Sequence, residues 1–81
     1  MKAPKMDAAQ AEDKAQAYCR AACAGQMFRY QALQSAFDAS RGLWSVRCEF
    51  TCMGSLSPRM RLVLVDDESG KVVGGNEEVG R

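Results

Sequence analysis

Trp44-Ser45-Val46-Arg47-Cys48-Glu49-Phe50-Thr51-Cys52-Met53 alternates almost without fault, with Trp44, Val46, Cys48, Phe50 and Cys52 against Ser45, Arg47, Glu49, Thr51 and Met53. A period of two with one apolar side is the signature of a half-buried β-strand. A strand is therefore expected over 43–53. The assignment also decides how the cysteines are read: Cys48 and Cys52 lie four residues apart on a strand, about 13 Å, so they cannot act as a close pair.

Downstream, Gly54-Ser55-Leu56-Ser57-Pro58 has turn composition, and a second strand follows over 59–66. In that strand Met60, Leu62 and Leu64 alternate with Arg61, Val63 and Val65, so both sides are partly apolar. The reading places Leu62 and Leu64 inward and Val63 and Val65 outward. Asp67-Glu68-Ser69-Gly70 reads as a tight hairpin leading to a short third strand over 71–75. The residues from Asn76 to Arg81 are expected to form a mobile tail.

Upstream, the stretch from Met6 to Ala39 contains no proline and a single glycine, Gly25, and is rich in Ala, Gln, Glu, Asp and Lys. These residues are acceptable or good helix formers. Ala8, Ala11, Ala15, Cys19, Cys23, Met27, Tyr30, Leu33 and Phe37 step by three or four, which puts them on one stripe of a helix over 6–40. Asp7 is the expected cap, and Ser40-Arg41-Gly42 the expected terminator. Such a helix would be about 50 Å long and would overhang its sheet, unless it breaks near Gly25. The expected fold is α+β: a long helix packed on a three-stranded antiparallel meander, in one small domain spanning 1–81. Its expected core is Met27, Tyr30, Leu33, Phe37, Trp44, Val46, Phe50, Leu62 and Leu64.

Spacing alone gives two Cys-x3-Cys motifs, Cys19/Cys23 and Cys48/Cys52. In this the chain resembles the twin motif of the small mitochondrial inner-membrane translocase chaperones, a resemblance that implies two antiparallel helices joined by two disulfides. Here 24 residues separate the pairs and the second pair lies in a strand. The helix advances about 6 Å in four residues, and two parallel cross-links to a strand are not expected to match. At most one helix-to-strand disulfide fits. The expected role of the cysteines is to fill the core as small hydrophobes, with a single disulfide as the alternative. Strand geometry also argues against a four-sulfur zinc site. The absence of histidine removes the usual activator of a catalytic thiol.

A net charge of +1, with 26% charged residues, gives no global attraction to nucleic acid or anionic membranes. Local contacts are conceivable through Arg47, Arg59 and Arg61, with Glu49 interrupting the patch. No apolar run approaches the roughly 20 residues of a membrane span. With no convergent acid, base and nucleophile, the chain is expected to be non-enzymatic, free of metal and cofactor, and cytoplasmic. Its expected role is that of a protein-interaction module, a regulator or accessory subunit that forms a homodimer or docks on a larger protein. Ala8, Ala11, Ala15, Val63 and Val65 are the expected interface. The alternatives are a nucleic-acid-binding module and a disulfide- or zinc-stabilised small protein.

Overall fold

A computed structural model describes residues 3–24, 28–52 and 57–78. One helix, α1 (Ala8–Ala22), precedes four strands: β1 (Phe28–Asp38), β2 (Leu43–Cys52), β3 (Arg59–Asp66) and β4 (Val72–Glu78). The strands pair antiparallel in the order β1-β2-β3-β4, a four-stranded meander with α1 across one face. The expected helix over 6–40 on three strands is thus corrected to a 15-residue helix on four strands. Gly25 and Met27, and with them the expected break and one expected core residue, lie outside the described residues.

The misreading of 28–38 has a definite cause. Phe28, Tyr30, Ala32, Ser35 and Phe37 all face α1, and the register slips between Ala32 and Gln34, leaving Leu33 as the extra residue of a β-bulge. The bulge makes the inward step from Ala32 to Ser35 three residues in place of two, and the outward Leu33 falls by chance at helical spacing between Tyr30 and Phe37, which imitates a helical stripe. Leu33 is turned out and 45% exposed, not part of the core. Helix propensities differ by only a few tenths of a kcal/mol per residue among Ala, Gln, Leu and Phe. Long pairing with β2 outweighs them. The ring contacts Phe37–Trp44 at 5.3 Å and Phe28–Phe50 at 6.0 Å add about 0.5–1.5 kcal/mol each.

Asp7 does cap α1: its carboxylate accepts the Gln10 amide at 2.8 Å, and the Gln10 side chain accepts the Asp7 amide at 3.0 Å. Ser40-Arg41-Gly42 ends no helix. It forms the β1–β2 turn, in which the Asp38 carbonyl accepts the Gly42 amide at 2.8 Å and Gly42 takes φ +66°. A glycine in the left-handed region serves a helix end and a hairpin equally well, which is why the local signal misled. The Asp66–Gly70 hairpin is formed as expected, with Gly70 at φ +72° and its amide donating to the Asp66 carbonyl.

The facing of β3 is the reverse of the expectation. Trp44 lies opposite Val65 and Val46 opposite Val63, so all four share the helix-facing side. Val63 and Val65 are completely buried. Met60, Leu62 and Leu64 occupy the outer face and are half-buried. β4 runs on through Glu78, so Asn76–Glu78 are paired strand rather than tail.

Ala11, Ala15 and Cys19 of α1 and Cys23 at its C-cap recur every four residues and are buried against the sheet. Their small side chains bring the helix close. Tyr18 lies over Gly75, where a Cβ would stand 2.9 Å from the tyrosine ring. The core is formed by these residues with Trp44, Val46, Cys48, Phe50, Cys52, Val63 and Val65.

Candidate functional site

The four cysteines converge between α1 and β2. Cys23 and Cys52 form a disulfide with Cα atoms 5.3 Å apart. Cys19 and Cys48 are thiols whose Sγ atoms touch at 3.6 Å. Each cysteine of the helix therefore meets one of the strand, four residues on in both elements. The single disulfide held as the alternative is present, and the reading of all four as unlinked hydrophobes is corrected. The hydrogen bond with Cys48, and burial, push the Cys19 thiol well above the ordinary thiol range. Burial also pushes up the hydroxyl of Tyr30, which lies beside Cys48. A protonated, enclosed thiol is a poor nucleophile.

Among the described residues no group of three or more His, Cys, Asp or Glu side chains could hold a metal ion. Nor is any described helix long and apolar enough to cross a membrane.

Among the described residues Asp67 is the buried acid. Its carboxylate accepts the backbone amides of Lys5 at 2.8 Å and Met6 at 2.9 Å, and the Trp44 indole N–H at 3.1 Å. These donors, the Lys5 amide first, hold its carboxyl below the usual carboxylate range in spite of desolvation. Lys5 also reaches Glu68 at 2.9 Å. The segment before α1 is thereby tied to the β3–β4 hairpin. Read alone, Asp66-Asp67-Glu68 is an ordinary solvated turn; the signal that could have singled out Asp67 is the need of a buried Trp44 for an acceptor.

The three arginines expected to form one patch are divided between the two faces. Arg47 is exposed on the outer face, whereas Arg59 and Arg61 lie opposite Phe50 and Cys48 and so face the helix side. Their guanidinium groups stack on Phe50 at 5.6 and 5.7 Å, and Arg61 also lies 5.9 Å from the Tyr18 ring. Arg20 covers Phe28 in the same manner at 5.2 Å. These cations close the end of the core beyond the helix. Arg61 Nε is buried with no hydrogen-bond partner among the described residues.

Of the expected interface residues, Ala11, Ala15, Val63 and Val65 are completely buried within the chain, between helix and sheet, and only Ala8 is exposed. A partner could reach the first four only if the helix left the sheet. On the outer face the half-buried Met60, Leu62 and Leu64 run along β3 in the middle of the sheet, and the exposed large hydrophobics among the described residues are Leu33 on β1 and Val73 on β4.

Against protein-family models, curated proteins and solved structures, the chain finds no match.

Proposed function

We propose that this chain is a disulfide-clamped, non-enzymatic interaction module whose working surface is the outer face of the sheet, and that its occupant is a second copy of the chain. The observation that carries the reading is the one-sided cover: α1 packs on one face, while Met60, Leu62 and Leu64 line the other. Four strands about 4.8 Å apart and roughly eight residues long offer about 500 Å². A face-to-face pair would bury about 1,000 Å², at the threshold for a specific interface. Charge supports the same arrangement. Arg47 and Glu49 alternate along β2 on that face, so a twofold axis between them sets the arginine of each copy against the glutamate of the other.

The division of Arg47 from Arg59 and Arg61 takes away the continuous basic patch that a nucleic-acid module needs. The Cys23–Cys52 bond favours a compartment oxidising enough to close it, in place of the cytoplasm.

Light scattering across a concentration series, with and without reductant, tests the proposal. A dimer is expected, and Leu62→Arg is expected to give a monomer with unchanged far-ultraviolet circular dichroism. A wild-type monomer throughout the series, or a dimer that survives both Leu62→Arg and Leu64→Arg, overturns it.

A further inference from the structure

We infer that Cys19 and Cys48 form a second helix-to-sheet disulfide, so that the oxidised protein carries two stacked cross-links between α1 and β2. Three observations carry this. The two sulfurs already touch at 3.6 Å, and closing to a bond of about 2.05 Å needs a shift of about 1.5 Å, within the reach of small rotations about the side-chain bonds.

Second, the pair repeats the geometry of the bond already formed. Cys19 and Cys48 lie one four-residue step from Cys23 and Cys52 in both elements, and each pair is separated by 29 residues in sequence. Docking that closes one pair therefore presents the other. Third, the Cys23–Cys52 bond tethers the end of α1 to β2 even while the helix is not fully seated, so the second pair meets at a raised effective concentration.

The chemistry balances with a low-molecular-weight disulfide, such as oxidised glutathione, as the oxidant. A thiolate of the pair attacks it, its S–S bond breaks, and one half leaves as a thiol while the other stays as a mixed disulfide. The second cysteine sulfur then displaces that half. The protein loses two protons and an electron pair, and two small thiols are released. Both sulfurs are enclosed once α1 is seated, so exchange takes place before the helix docks fully.

The test is to refold the reduced chain in a glutathione buffer, alkylate in denaturant and measure the intact mass. Cleavage after Arg20, Arg47 and Phe50 then puts the four cysteines on separate peptides. The expected result is a loss of four hydrogens and no alkylation, with the Cys19 peptide linked to the Cys48 peptide. Alkylated Cys19 and Cys48 beside a Cys23–Cys52 link, or crossed linkage of Cys19 to Cys52, overturns the inference. A chain with Cys23→Ser and Cys52→Ser is expected still to lose two hydrogens; should it not fold, the wild-type linkage map decides. None of these outcomes depends on whether the chain is a dimer.

Discussion

The facing of β3 can be tested by comparing Val63→Ala with Leu62→Ala. Val63 is completely enclosed between Val46 and α1, while its neighbour Leu62 is half-buried on the outer face. Val63→Ala removes two carbons at about 0.8 kcal/mol each, and incomplete collapse of the cavity adds about 1 kcal/mol. The expected loss is about 2.5 kcal/mol. Leu62→Ala removes three carbons but leaves no enclosed cavity, and its expected cost is below about 1 kcal/mol. The smaller deletion thus costs more. Urea unfolding, followed by Trp44 fluorescence at a dilution where the chain is monomeric, gives both values with an unchanged slope. If Leu62→Ala proves the more damaging, β3 faces the other way and the register is wrong.

Acid should weaken the fold through two carboxylates. Asp38, held down to about 2 by the Ser40 hydroxyl and Arg41, and Asp67, held down by the Lys5 amide, both lie below the ordinary value of 3.8. Because the folded-state values are depressed, their stabilisation is full above about pH 4 and is lost as the pH falls toward 2. Urea midpoints measured between pH 2 and 6 should show this fall, and Asp38→Asn should flatten part of it. Gly75→Ala would press a Cβ to 2.9 Å from the Tyr18 ring and should cost about 1–3 kcal/mol, read as a lower thermal midpoint. Reductant should remove the Cys23–Cys52 cross-link; for a loop closed across 29 residues the chain-entropy account gives about 3.5 kcal/mol, so the denaturant midpoint should fall markedly. A midpoint indifferent to reductant would mean that the bond contributes nothing to stability.

Much of the strand pattern was legible in the sequence by itself. The alternation from Trp44 to Cys52 places β2 and the inward side of Trp44, Val46 and Phe50; Asp7 marks the start of α1, and Asp67-Glu68-Ser69-Gly70 marks a hairpin. These are local signals, set by side-chain periodicity and turn chemistry. What only the tertiary structure decided are the features that depend on a partner element. Residues 28–38 carry helix-forming composition, and they are a strand because β2 offers them an edge and the bulge at Leu33 keeps Phe37 inward. β3 is apolar on both sides, so its facing follows from pairing with β2, as do the burial of Val63 and Val65 and the exposure of the Leu62 side. Asp67 becomes a clamp only when the Lys5–Met6 segment, distant in sequence, meets it. The cysteine pairs close because the crossing of α1 over β2 brings each helix sulfur to a strand sulfur. Periodicity reports how one segment divides its own side chains; which side is buried is settled by the free energy of packing against another segment.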